Sequence, residues 1–250
     1  MGKVFKQKYF HREPFLEVYV KADIGELVVE PHDEDYIDLS GMVIGGTTRD
    51  INVSHEEEAS SLRIYISPTN PAKIVDVKAK IRIPVAKNPK KFIAGLDTGN
   101  IRIDGLNVGT IVLESNNGDI TTLGVKGGEG RLSSINGDIY VRGGEFNSLN
   151  ITSTNGDIRL ELSMARGKAI IENINGEIRL LISEDSDTFI EASSINGVIY
   201  LHDDEGKLNI KSMDKRFLQG VLGEGRSEAI LKTINGPIRI EVLRKITKRE

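Results

Sequence analysis

An eight-residue phrase centred on Asn-Gly returns along most of this chain, and its spacing limits the fold more than any other feature. Ser134-Ile135-Asn136-Gly137-Asp138-Ile139-Tyr140-Val141 reappears as Ser153 to Leu160, Asn173 to Leu180, Ser194 to Leu201 and Thr233 to Ile240. Ser115 to Ile120 is a shorter copy and Leu96 to Ile103 a weaker one. The glycines stand at 99, 118, 137, 156, 176, 197 and 236, so the steps are 19, 19, 19, 20, 21 and 39. A period near 20 held this steadily marks a solenoid, in which each repeat buries its apolar face only by stacking on its neighbours. The last step is two periods, which places a hidden copy near 216. Leu208 to Phe217 aligns with Leu149 to Ile158, keeps its apolar positions and loses Asn-Gly. Eight turns result.

Strand parity assigns faces within a turn, because side chains alternate along a strand. Leu149, Ile151, Ser153 and Asn155 share one parity; Gly156 breaks the phase; Ile158, Leu160 and Leu162 share the next. The spacing predicts two strands of about five residues meeting at a glycine corner, with successive turns about 4.8 Å apart. On this reading Asn117, Asn136, Asn155, Asn175, Asn196 and Asn235 stack inside the coil, each amide donating to the next, with a Ser/Thr/Asn row beside them. The residue after each glycine points outward, as in Asp119, Asp138 and Asp157, and an arginine-rich column beside it balances those carboxylates. The residue before each Asn also points outward. Ile174, Ile195, Met213 and Ile234 then form an apolar stripe, which is expected to be covered by another segment of the chain or by a partner.

Upstream of the repeats the text alternates as strands from Phe15, with turn clusters between them and a long strand from Val75 that ends at Pro84. Glu56-Glu57-Glu58 reads as a solvated hairpin tip. No window carries a helical apolar set. The fold class expected is all-β: a single-stranded parallel β-helix, or β-solenoid, of about eight two-strand rungs with an N-terminal antiparallel β cap. Residues 1–90 read as the cap, with room for first irregular rungs. Residues 91–242 are the repeats and 243–250 a basic C-terminal tail.

Little chemistry is legible. A net charge of −4 gives no general attraction to nucleic acid. The absence of cysteine excludes disulfides, thiolate nucleophiles and thiolate metal sites. No apolar run approaches the roughly 20 residues of a membrane helix. The first twenty residues hold no apolar leader core, which points to the cytoplasm; a mature envelope protein whose leader had been removed would look the same. His11, His32, His55 and His202 are scattered. No phosphate loop, dinucleotide fingerprint or nucleophile elbow is present. The glycine-rich runs 124–130 and 220–225 read as corners. Asp203, Asp204 and Glu205 are the one acidic cluster within the repeats. No catalytic, cofactor-binding or metal-ligating residue is assigned, and no cofactor is expected.

The Ser-x-Asn-Gly-Asp-Ile-x-Leu phrase at a period near 19 resembles that of the "putative adhesin" family of β-solenoid proteins, a domain-of-unknown-function class. So do the closing stretch Gly220 to Ile240, the opening Glu26-Leu27-Val28-Val29 and the strand ending in Pro84. The resemblance spans about residues 15–242. It implies a repetitive β scaffold, associated in some members with the cell envelope, and it carries over no catalytic residues. Two functional readings follow. One is a non-enzymatic scaffold with a protein partner or a second copy of itself, associating through the stripe or end to end. The other is a carbohydrate-active β-helix enzyme, a lyase or hydrolase, which requires a groove holding two suitably spaced carboxylates.

Overall fold

The computed structural model describes residues 3–10, 17–70, 76–164 and 166–244. The strand starts expected at Phe15 and Val75, His11 and the tail residues 245–250 lie outside them. The N-terminal third holds β1 (Lys3–Phe10), β2 (Glu17–His32), β3 (Tyr36–Ile44), β4 (Ile51–Glu58), β5 (Ser61–Pro68) and β6 (Asp76–Pro84). The repeats begin with β7 (Lys91–Asp104). Strand pairs follow: β8 (Asn107–Asn117) with β9 (Ile120–Leu123), β10 (Lys126–Asn136) with β11 (Ile139–Arg142), and β12 (Glu145–Asn155) with β13 (Ile158–Leu162). Next come β14 (Lys168–Asn175) with β15 (Ile178–Ser183), and β16 (Thr188–Ser194) with β17 (Ile199–His202). A hairpin of β18 (Asn209–Met213) and β19 (Phe217–Leu222) precedes β20 (Ser227–Asn235) with β21 (Ile238–Leu243). The protein is an all-β solenoid, and its only helices among the described residues are two three-residue 3-10 turns.

Each rung bends at its glycine, so two stacks of strands share the corners. The first stack runs β4–β5–β2–β7–β8–β10–β12–β14–β20–β16–β19–β18. The second runs β1–β3–β6–β2–β7–β9–β11–β13–β15–β21–β17. Pairing is parallel from β2 through the repeats; antiparallel hairpins close both ends of the first stack, whereas the second runs from antiparallel β1 and β3 to the parallel strand β17. The angle between the stacks is filled by one continuous apolar core. Its ladders are Leu113–Leu132–Ile151–Ile171–Leu231 on one side and Ile120–Ile139–Ile158–Ile178–Ile238 on the other, all buried.

Three features depart from the sequence reading. The hidden turn is not at 208–217: that segment forms β18 and the turn into β19, an antiparallel hairpin against β16. Without Asn-Gly the chain there has no corner, and it reverses instead at Asp214, whose carboxylate accepts from the Arg216 and Phe217 N–H groups. The eighth rung is β2, which bends at Gly25 and pairs with β7 through both arms. Much of the first ninety residues is therefore parallel solenoid, and the antiparallel cap is restricted to β1, β3 and β4.

Rung order in space also differs from order along the chain. The last rung, β20–β21, lies between β14–β15 and β16–β17. A buried polar knot fixes it there. The Thr188 and Ser227 hydroxyls are 2.7 Å apart, and the Ser227 hydroxyl donates to the Asp187 carbonyl. The Asp187 carboxylate accepts from the backbone N–H groups of Arg226 and Glu224. These bonds, led by the Arg226 N–H and joined by its guanidinium, hold the Asp187 carboxyl below the usual carboxylate range.

Candidate functional site

The corners build an outer ridge along the whole solenoid. Three polar ladders run through it. In the first, each asparagine amide donates to the amide oxygen of the neighbouring rung, in the spatial order 117, 136, 155, 175, 235 and 196, at 2.8–2.9 Å. These side chains are exposed, not inside the coil. The residue at the bend sits on its outer angle, so the last inward side chain is the Ser, Thr or Asn two positions earlier.

That inward residue makes the second ladder. Ser115, Ser134, Ser153, Asn173 and Ser194 each donate to the carbonyl of the neighbouring rung's glycine. The Thr233 hydroxyl and the Asn173 amide oxygen are buried without a partner among the described residues. The third ladder is made by the outward acids. Asp138, Asp157 and Glu177 donate their backbone N–H to the carboxylates of Asp119, Asp138 and Asp157 in turn. It stops at Pro237, which has no N–H to give, and Glu177 instead pairs with Arg239 at 2.8 Å. The acids are thus backbone acceptors, and no group of three metal-ligating side chains exists among the described residues.

The glycines are fixed by contact between rungs. A Cβ on Gly118, Gly137, Gly156, Gly176 or Gly236 would lie 2.0–2.2 Å from the carbonyl oxygen of the glycine below it. No side chain fits there, whatever its conformation. The sequence reading placed these glycines at corners; the close approach between rungs is a further demand for glycine there.

Beside the ladders lies the isoleucine row. In spatial order its positions are Ile135, Thr154, Ile174, Ile234 and Ile195. Ile174, Ile234 and Ile195 occupy consecutive rungs and are 42%, 40% and 60% exposed. Their solvent-facing sides are left open among the described residues, so no described segment of this chain supplies the expected cover. Met213 is exposed too, but it leaves the row: it sits on β18, opposite Leu218 and level with Ala192.

On the far side of the rungs a groove of about 1430 Å³ crosses the starts of five of them. Its floor is glycine. The Phe146 ring lies where a Cβ on Gly127, Gly130 or Gly144 would fall, within 2.7–3.1 Å. Lys90, Lys126, Arg142, Arg166 and Lys168 line it with two acids, Glu145 and Glu161. Sequence reasoning took the 124–130 glycines for corners and missed the groove, since only the stacked register brings Phe146 over them. The two acids are engaged: Glu145 pairs with Lys126 at 2.8 Å. Glu161 accepts from Tyr140, Arg142 and Arg159 at 2.8–3.0 Å. The Tyr140 hydroxyl is pushed above its ordinary pKa by burial and by that bond to Glu161. Asp203, Asp204 and Glu205 are likewise tied, to the Leu208 N–H, His202 and Arg244.

Over residues 45–169, and again over 97–241, the chain matches the Toastrack DUF4097 family. A structure described as a "putative adhesin" from Bacteroides fragilis is 14% identical, with a TM-score of 0.52, covering 95% of this chain and 96% of that one. A "putative lipid binding protein" from Parabacteroides distasonis is also 14% identical at a TM-score of 0.52, covering 96% and 97%. At that identity the likeness concerns the fold. Among curated proteins no relative matches.

Proposed function

This chain belongs to the Toastrack DUF4097 family, and we propose that it works as a non-enzymatic, adhesin-like scaffold that associates with a second copy of itself along the corner ridge. The observation that carries this reading is the row Ile174, Ile234 and Ile195. Three large apolar side chains stand open to solvent on consecutive rungs, beside ladders that hold the backbone rigid. A row of like side chains at one spacing is self-complementary about a two-fold axis, which favours a second copy as its cover. The name given to the Bacteroides fragilis structure supports an interaction role.

The groove favours the second reading, a carbohydrate-active enzyme. Its acids weigh against it. A general acid needs a carboxyl free to hold and release a proton at the substrate, and Glu161 is clamped by three donors while Glu145 is paired with Lys126. Light scattering across a wide concentration range tests the scaffold reading. Association that is lost in the triple variant I174S/I195S/I234S supports it. Association unchanged in that variant overturns the ridge interface, and hydrolysis or cleavage of a screened polysaccharide would overturn the non-enzymatic assignment.

A further inference from the structure

Repeat proteins normally cap both ends of the stack, because an open strand edge is a template for pairing. Here the end strands carry opposite charge. In the first stack, β4 ends it on one side and β18 on the other, and each pairs with a single neighbour among the described residues. β4 finishes in Glu56, Glu57 and Glu58, all exposed. β18 carries Lys211 and leads into Lys215 and Arg216, also exposed.

The register can be followed from one end to the other. Met213 is level, through Leu218, Ala192, Leu231, Ile171, Ile151, Leu132, Leu113, Ala94, Val20 and Ile64, with His55. By the same chain of pairings Ser212 is level with Glu56, Ile210 with Glu57 and Asn209 with Glu58. Lys211 sits at the bulge between Ile210 and Ser212. Sliding a second copy along the solenoid axis therefore brings Lys211 between Glu57 and Glu56. β18 runs with the rungs and β4 against them, so the two meet antiparallel, the commoner and slightly stronger pairing.

The second stack has the complementary polarity, and its protrusion is no deeper than the recess it would enter. At one end β1 stands a strand beyond β4 and presents Lys6 and Lys8; at the other, β17 stops two strands short of β18 and leads into Asp204 and Glu205. The protruding strand faces the recess beside the hairpin, with basic side chains towards acidic ones. Exposed apolar side chains lie at both ends as well: Val4 and Phe10 on β1, Ile210 and Met213 on β18.

We propose that copies of this chain join head to tail, the β18 edge of one pairing antiparallel with the β4 edge of the next. The proposal rests on the scaffold reading above but uses different surfaces. The first stack holds twelve strands, so each added copy lengthens the particle by about 58 Å at a strand spacing of about 4.8 Å.

Sedimentation velocity and negative-stain electron microscopy of the full chain test it. The wild type should form rods growing in that increment, weakened by salt because the junction charges are exposed. Lys211→Glu should weaken assembly about tenfold or more, and so should the double variant E56K/E57K, since each puts like charges face to face. Both should keep wild-type circular dichroism and unfolding midpoints. Mixed together they should assemble again as alternating copolymers, because each variant's altered end then meets a complementary one. A wild type that stays monomeric throughout, or assembly indifferent to both reversals, overturns the proposal. Assembly lost only in I174S/I195S/I234S overturns it and leaves the ridge interface standing; rods that survive that variant and fail in the charge variants do the reverse.

Discussion

Four glycine-to-alanine substitutions separate the two demands that this fold makes on glycine. Gly156 meets both: its φ is +151° and an added Cβ would fall 2.2 Å from the Gly137 carbonyl oxygen. Gly137 meets one, since its φ lies outside the left-handed range but its Cβ would fall 2.1 Å from the Gly118 oxygen. Gly143 meets the other, with φ +60° and nothing within 4 Å. Gly95 meets neither. A left-handed residue with a Cβ costs about 1–2 kcal/mol, and forcing packed atoms apart about 1–3 kcal/mol. Spreading two rungs also stretches the Asn155–Asn136 bond, worth about 1 kcal/mol. Gly156→Ala should then cost about 3–6 kcal/mol by the sum of these. Gly137→Ala should cost about 2–4 and Gly143→Ala about 1–2. Gly95→Ala should be neutral or stabilising by about half a kcal/mol. Urea titration followed by circular dichroism reads the series as midpoint shifts at constant slope. The reasoning fails if Gly137→Ala costs no more than Gly95→Ala, for then the rungs have room that the stacked carbonyls deny.

Thr233→Val removes a buried hydroxyl that bonds to nothing among the described residues, so thermal unfolding should rise in midpoint by the equivalent of about 0.5–1 kcal/mol, whereas Ser153→Ala, which loses a bond to Gly137, should fall. Arg82→Ala leaves the fully buried Asp38 carboxylate without the guanidinium whose Nε and Nη2 both donate to its Oδ2; equilibrium denaturation should show a loss of about 3–5 kcal/mol, much reduced in Arg82→Ala combined with Asp38→Asn. Burial, with the Glu57 charge adding to it, pushes the Tyr9 phenol up to about 12 from its ordinary 10. The unfolded chain therefore gives up this proton first as pH rises, and stability should fall between pH 10 and 12. Tyr9→Phe should flatten that part of the profile, and ultraviolet titration should show one tyrosine ionising last.

Much of this architecture could be read from periodicity alone, because the repeat is a physical unit: apolar positions that recur every 19 to 21 residues have nowhere to go but onto each other. The asparagine row was legible for the same reason. Its placement was not, since strict alternation carries through a corner on paper, while a real bend throws Asn136 and its neighbours to the outside. β2 escaped notice because its corner is Ile24-Gly25, without the asparagine signature. Leu208 to Phe217 misled for the opposite reason: its apolar spacing imitates a rung although Asp214 turns it into a hairpin. The groove and the charged ends depend on which strands finish as neighbours, and local sequence does not encode that.

The insertion of β20–β21 between two rungs that precede it along the chain bears on how the molecule is made. A ribosome delivers β16 before its proper neighbour exists, and the open edge of β14 is then the nearest template of the same register. Both β16 and β20 offer β14 the same inward pattern of two apolar residues and a hydroxyl, Ile190-Ala192-Ser194 against Ala229-Leu231-Thr233. Assembly cannot proceed as a zipper from the amino end. The final segment has to enter a place kept for it, and the Asp187–Arg226 knot acts as the latch that tells the finished arrangement from its premature imitation.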